Sequence, residues 1–395
     1  MDREAAKQTV IAEIDRRADD LIRVSREIHA HPELCYEERF AHDVLTAAIA
    51  AAGLPVTTHA YGLDTAFVSV AGRADGPLVA VLCEYDALPG IGHACGHNII
   101  AASGLGAGLA AAMVAEELGG RIMILGTPAE EGGGGKQKLI DAGAFAGVHA
   151  AMMVHPSSGD LSTMAAIAVQ NLTVRYFGQA AHAAAAPWKG TNALDAAVLG
   201  YMNVAALRQH IQPTERVHGV FLRAGEKPNI VPDYAESFWY VRSKTLRSLE
   251  PLKPRVLAAL EAGAHATGCS FEHEWDDTPY ADMVNNLPLL DLYMKNAAQL
   301  GRVVAEADDR TAVVGSTDMG NVSYSVPAIH PMIKAAPEGC AIHTKDFAAH
   351  AASPLGDQAV LDGAKAMAMT VVDFWLEPAA RDAARTAFER AIRRV

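Results

Sequence analysis

Cys95 and His97 stand two positions apart in Gly92-His93-Ala94-Cys95-Gly96-His97-Asn98, and Glu130 and Glu131 stand side by side ahead of four glycines, Gly132 to Gly135. Thiolate and imidazole both bind zinc readily, and hydrolytic metal sites commonly mix His with carboxylate while keeping a position open for water. Adjacent carboxylates can divide labour there, one holding metal and its neighbour taking a proton from the activated water. The glycines suit a tight turn where backbone approaches a ligand closely. His155 and His343 extend the set, so that Cys95, His97, Glu131, His155 and His343 are adequate for two metals sharing one ligand. Two metals about 3.5–4 Å apart are a common clamp for attacking water and substrate oxygen. Two competing chemistries lack their patterns. Gln137 follows Lys136 where a phosphate-binding loop needs Ser or Thr, and no G-x-S-x-G nucleophile elbow occurs.

These residues need a frame that gathers strand ends. Apolar, β-rich runs at 65–70 and 78–82, a helix over 98–118, a strand over 122–126, a helix over 134–142 and a strand over 150–154 alternate along the chain. The alternation predicts an α/β fold with a mainly parallel sheet flanked by helices. Such folds bind ligands beyond the carboxyl ends of their strands, where Asp86, Cys95, His97, Glu130, Glu131 and His155 fall. Ahead of this frame the spacing predicts one helix over 5–30, ended at His31-Pro32 because the residue before proline is pushed out of the helical region. A second helix over 37–52 stops at Gly53.

After about Met164 the pattern becomes β-α-β-β-α-β, with strands at 172–177, 217–223, 234–241 and 270–275 and helices at 192–210 and 246–267. That series is the ferredoxin-like α+β arrangement and reads as an inserted domain. The α/β pattern resumes with a helix over 287–300, a strand over 328–333 and a helix over 354–374, and 377–395 reads as a peripheral helix. The expected division is therefore 1–166 with 282–395 for the metal-bearing domain and 167–281 for the insertion.

Composition narrows the function classes. At 395 residues the chain exceeds the usual size of one core, in keeping with two domains. A net charge of −13, without a basic stripe carrying interleaved aromatics, argues against nucleic acid as a partner. The apolar stretch at 99–115 is rich in Ala and Gly and runs into Glu116-Glu117, so it reads as a buried helix, and no membrane partner is expected. The five cysteines are odd in number and scattered, unlike a disulfide framework. Acidic residues occupy the N-terminus where a signal peptide would be basic and then apolar, so a cytoplasmic address is the expectation.

The combination Asp86-Ala87-Leu88-Pro89, Gly92-His93-Ala94-Cys95-Gly96-His97, Pro128-Ala129-Glu130-Glu131-Gly132-Gly133 and His343-Thr344 resembles the M20 metallopeptidase family, in its amidohydrolase subfamily D. The resemblance covers nearly the whole chain and includes His29-Ala30-His31-Pro32-Glu33-Leu34. Asn98 stands where many members carry Asp. With Glu84-Tyr85-Asp86 and Gly315-Ser316-Thr317-Asp318-Met319-Gly320-Asn321-Val322-Ser323, it resembles the branch of p-aminobenzoyl-glutamate hydrolase and the M20 domain-containing protein 2 dipeptidases.

Residue by residue, the resemblance implies Cys95 as a bridging ligand, His97, Glu131, His155 and His343 as the other ligands, Glu130 as general base and Asp86 as the carboxylate orienting a ligand. It implies two divalent metal ions, zinc foremost, with manganese or cobalt also fitting such donors. The insertion resembles the family's lid, through which members dimerise. His182 in Gly178-Gln179-Ala180-Ala181-His182-Ala183 matches the lid histidine that reaches a neighbouring subunit's site, and Asn229 and Arg242 match residues that hold substrate, commonly its carboxylate. The activity implied is hydrolysis of the amide bond in a small N-acyl or N-aroyl amino acid or an unusual dipeptide, by a homodimer. The same water activation would also serve deamination of an aromatic amine in a family offshoot. A metal-free binding or scaffold protein with the same fold is the alternative of another class, and metal analysis separates it.

Overall fold

The computed structural model describes residues 1–306 and 314–393. Through residue 157 the chain runs α1 (Arg3–Arg16), α2 (Ala18–Ala30), α3 (Arg39–Ala51), β1 (Thr57–Thr58), β2 (Phe67–Gly72), β3 (Leu78–Glu84), α4 (His97–Ala115), β4 (Arg121–Thr127), α5 (Gly135–Asp141), β5 (Val148–Met152) and β6 (His155–Ser157). There follow β7 (Ala168–Phe177), α6 (Ala193–Leu207), β8 (Arg216–Arg223), β9 (Tyr234–Ser243), α7 (Leu246–Leu249), α8 (Leu252–Thr267) and β10 (Ser270–Trp275). The chain then forms α9 (Leu287–Gln299), α10 (Met319–Ser325), β11 (Ala328–Ile329), β12 (Met332–Lys334), α11 (Lys345–Ala351), α12 (Pro354–Leu376) and α13 (Pro378–Ile392). Contacts divide the chain into two compact units, Met1–Ala165 with the chain from Met283 onward, and Ala166–Asp282.

In the first unit β1-β2-β4-β3-β5-β11 form a sheet in which β4, β3, β5 and β11 are parallel, while β2 pairs antiparallel with both β4 and the edge strand β1. Every residue of β3 is buried, as a strand covered on both faces must be. Val79, Val81 and Cys83 pack into the core shared with α1, α2, α9 and α12, while Leu78, Ala80 and Leu82 pack into the core with α5 and α10. The small residues of α4 let it lie between α12 and β3. By length and composition α4 could cross a membrane, but 89% of its apolar window is buried in the protein.

The first helical stretch is two helices rather than one. Arg16 closes α1 and Asp19 and Asp20 open α2, each charge set complementing the dipole of its own helix end. Strand 328–333 is likewise two short strands: β11 pairs with β5 and β12 with β6. His155 therefore opens a strand of its own instead of ending the preceding one.

The second unit is a β-α-β-β-α-β series with strand order β10-β7-β9-β8, all neighbours antiparallel. Alternate residues of β7 and β9 turn Leu172, Val174, Tyr176, Ala235, Trp239 and Val241 into a core with α6 and α8. Arg242 lies inside β9, opposite Val169 and Arg216, rather than beyond the strand's end.

Candidate metal centre

Strand ends supply the donors. β3 delivers Glu84 and then Asp86, and the following loop returns to place Cys95 directly before α4, whose first residue is His97. Gly96 between the two donors has φ +78°, and a Cβ there would lie 2.6 Å from the Pro156 ring. Only glycine lets the thiol and the imidazole converge so tightly against the segment that carries His155.

Two imidazoles are pinned by one ring nitrogen each. His97 Nδ1 lies 2.8 Å from the Asp86 carbonyl oxygen and 3.1 Å from its Oδ1. Both are acceptors, so the ring proton sits on Nδ1 and Nε2 is turned inward to bind. His155 does the same, with Nδ1 2.8 Å from the Pro156 carbonyl oxygen and Nε2 3.4 Å from Cys95 Sγ. The other oxygen of Asp86 accepts from the Glu131 amide at 2.9 Å and from the Cys35 thiol at 3.4 Å.

Burial would raise the Asp86 carboxyl, but the hydrogen bond and charge of His97 outweigh it and hold the group down to about 2. Burial, then the charge of His97, pulls His155 down to about 4. Burial pushes the Cys95 thiol up, and a coordinating cation reverses that by taking the thiolate. Glu130 is raised well above the usual carboxylate range by burial first and by the charges of Glu84 and Glu131 next.

Glu130 and Glu131 follow β4 through Ala129, a non-glycine residue at φ +62°. The Ala129 amide donates to Glu38 Oε1 at 2.9 Å, which fixes that turn. A Cβ on Gly135 would sit 1.8 Å from the Pro128 carbonyl oxygen, so the glycine run is what lets the chain fold back over Pro128 into α5. His343 also has positive φ, +63°. Its amide donates to the Ala94 carbonyl at 2.8 Å, and its half-exposed ring brings Nε2 to 3.7 Å from Glu131 Oε1.

Cys95, His97 and His155 bring one donor atom each within 4.8 Å of one another, and so do Cys95, Glu131 and His343. Cys95 is common to both groups. A third group, Glu84, His97 and Glu130, satisfies the same distance. Buried His97 Nε2, Glu84 Oε1 and Glu131 Oε1 make no hydrogen bond, a costly arrangement unless a cation satisfies them. Thiolate, imidazole and carboxylate together fit divalent metals of the zinc type.

The sequence motifs do not mark Lys136 as a site residue, and they use Glu84 and Asp318 only as marks of a branch. All three are fully buried: Lys136 Nζ binds a Glu84 oxygen and lies 2.6 Å from Asp318 Oδ1, and its amide donates to Asp318 Oδ2 at 2.9 Å. A carboxylate closing an otherwise apolar strand is the signal available in the sequence. Other motif residues hold the frame. Glu33 accepts from the amides of Phe40 and Ala41 at the start of α3, and Asn98 donates to Ser25 Oγ and the Ala351 carbonyl, joining α4 to α2 and α11.

His182, Asn229 and Arg242 belong to the second unit. His182 is exposed, and its Nδ1 accepts from the amides of Ala184 and Ala185 at 3.3 and 3.1 Å, which leaves the neutral ring's proton on Nε2 as a donor. A backbone bridge pairs His182 with Ile230, beside exposed Asn229. Arg242 lies with its guanidinium 5.3 Å from the Tyr240 ring centre, and burial draws its pKa down.

A parallel sheet with thiolate, imidazole and paired carboxylates at its strand ends defines a metal-dependent hydrolase. Residues 80–372 match the model of peptidase family M20/M25/M40. The chain is 41% identical to mouse Xaa-Arg dipeptidase over 98% of its own length and 93% of that protein's. It is 27% identical to one of the subunits of p-aminobenzoyl-glutamate hydrolase from Escherichia coli, with 92% of each chain covered. A dinuclear metal binding peptidase of the M20 family from Bacillus subtilis shares the fold at a TM-score of 0.68 and 22% identity, covering 91% of this chain and 98% of that one. The chain belongs to the M20 family and is a hydrolase acting on C–N bonds.

Proposed function

We propose that the protein cleaves the amide bond of dipeptides with a basic C-terminal residue, with two divalent metals that Cys95, His97, His155, Glu131 and His343 would hold. The two donor groups meeting at Cys95 beside Glu130 carry the catalytic part of this reading. The likeness to the Xaa-Arg dipeptidase over almost the full length of both chains supports the substrate class. In this assignment His97, His155, Glu131 and His343 complete the ligand set and Asp86 fixes the His97 ring. Thiolate and imidazole favour zinc, while the same donors also accept manganese or cobalt.

Divalent metals, when bound, polarise the amide carbonyl and lower the pKa of the attacking water. Glu130 takes the water's proton and hands it to the departing amine. His182 of the partner subunit would hydrogen-bond the oxyanion through its Nε2–H, which keeps its proton. Arg242 and Asn229 receive the substrate carboxylate, for which the planar guanidinium is well shaped.

The second unit acts as a lid and as the dimerisation surface. Its edge strand β8 exposes Val220, Phe221 and Leu222, and α6 exposes Val198, Leu199, Tyr201 and Met202. The Tyr201 and Phe221 rings lie 6.0 Å apart, so the two sets form one apolar patch along an unpaired strand edge, a surface suited to burial against a copy of itself. Free thiols at all five cysteines support a reducing, cytoplasmic address.

The test is metal analysis of purified protein together with turnover on Xaa-Arg and Xaa-Lys dipeptides, p-aminobenzoyl-glutamate, N-acetylcysteine and an aromatic amine. The expected result is two metals per chain and the highest kcat/KM on a basic dipeptide. Preference for the aromatic amine or for p-aminobenzoyl-glutamate would overturn the substrate class. Full activity without metal would overturn the mechanism.

A further inference from the structure

We infer that Glu84 is an additional metal ligand, held to that task by Lys136 and Asp318. The inference rests on the metal-site reading above and concerns an atom outside its donor set. With Nδ1 given to the two Asp86 oxygens, Nε2 is the ring atom left to bind. Glu84 Oε1 lies 3.1 Å from that nitrogen. A carboxylate oxygen and an imidazole nitrogen this close need a positive charge between them, a proton on Nε2 in the metal-free protein and a cation in its place when metal is bound. Neither atom makes a hydrogen bond, and both residues are fully buried. Water therefore cannot relieve them, while a metal on Nε2 would.

The other half of Glu84 shows why its carboxylate is available at that point. Its Oε2 is bound by Lys136 Nζ, which is buried to the same degree and shared with Asp318. Asp318 also accepts the Lys136 amide at 2.9 Å, fixing the lysine's backbone at the start of α5. One carboxylate of the triad thus balances the ammonium while Glu84 is fastened by one oxygen with the other facing His97. A purely structural Glu84–Lys136 pair would not need Oε1 to face an imidazole nitrogen. Glu84, His97 and Glu130 also lie close enough together to share one ion. Glu84 would thereby add charge to the metal on the His97 side and leave the metal on the Glu131 and His343 side untouched.

The test uses full-length protein stripped of metal and reloaded with cobalt(II), comparing wild type with Glu84→Gln, Glu84→Asp and Asp318→Asn. Stoichiometry comes from elemental analysis, affinity from chelator competition, and coordination from the visible absorption of bound cobalt. Glu84→Gln keeps size and removes charge. It should weaken one of two cobalt ions by at least about 10–100-fold, the loss typical of disturbing an outer-shell partner, and should change the absorption of that ion alone. Glu84→Asp keeps the charge beside Lys136 but withdraws the oxygen, so it should show the same selective loss and serves if Glu84→Gln does not fold. Asp318→Asn should leave the cobalt spectrum as in wild type. Two cobalt ions of wild-type affinity and spectrum in both Glu84 variants would overturn the inference and leave the metal site standing. The same loss and spectral change in Asp318→Asn would also overturn it, by making Glu84 part of a charge scaffold only. Wild type that binds no cobalt would overturn the inference together with the reading beneath it.

Discussion

The metal centre and the exposed β8–α6 edge of the inserted unit each leave groups uncompensated, but of opposite kinds. In the first, buried polar atoms such as His97 Nε2 and Glu131 Oε1 make no hydrogen bond. In the second, Val220, Leu222 and Met202 are apolar and more than half exposed. A buried polar atom without a partner costs several kcal/mol and calls for an ion, whereas an exposed apolar patch calls for another protein surface. The kind of defect therefore indicates the kind of partner.

The largest effect should come from removing chemistry from the first unit without disturbing its ligands. Glu130→Gln should retain metal and lose about 10²–10⁴-fold in kcat; a variant keeping more than about a tenth of the wild-type rate with both metals bound would mean another group moves the proton. His182→Ala should cost about 10²–10³-fold, the loss of one oxyanion donor. Mixing the two variants should restore activity, because one site of the mixed dimer has Glu130 of one chain and His182 of the other. Subunit exchange seen by native mass spectrometry with no gain in rate would count against donation of His182 across the dimer.

A smaller effect should follow from spoiling the apolar edge. Val220→Glu with Leu222→Glu should give a monomer by sedimentation, with metal content unchanged, since neither residue belongs to the metal-site unit. A stable dimer in that double variant would mean that subunits associate elsewhere.

The smallest concerns Glu38, which supports the Glu130 turn without touching a metal donor. Burial raises its carboxyl to about 7 against an ordinary 4.5, with the charge of Asp86 adding and hydrogen bonds from Thr65 and Tyr36 opposing. The folded chain thus keeps a proton that the unfolded chain releases. That contribution to stability is complete below about pH 4.5 and is lost as pH rises through about 7. Glu38→Gln should flatten this part of the metal-free protein's urea-midpoint profile, while an unchanged slope would assign it to other groups.

The sheet was legible because strand length and helix period show along the chain: β3, β4 and α4 lie within a few residues of their expected bounds. The division of the first helix is written in the switch from Arg16 and Arg17 to Asp19 and Asp20, which the continuous apolar spacing masks. Cys95, His97, Glu131, His155 and His343 stood out as residue types that bind metal, and the fold gathers them around one thiol. The Glu84–Lys136–Asp318 cluster did not stand out. Lys136 follows a glycine run that lacks the phosphate-loop pattern, and only tertiary packing seals it between carboxylates from distant segments.

The parallel pairing of Ala328 and Ile329 with Ala151 and Met152 sets an order on how the chain assembles. These partners lie on either side of the whole insertion, so in a freshly made chain their encounter is slow. Near the ends of the insertion, Val169 and Tyr280 exchange both backbone hydrogen bonds, at 3.0 and 2.9 Å. Once the insertion has folded around that pair, the loop that must close is shortened, which lowers its entropic cost by roughly 1 kcal/mol. The inserted unit is thus an internal folding aid: pulse-labelled hydrogen exchange should find its amides protected before those of β11, and His343, the metal donor on the later segment, should be the last to arrive.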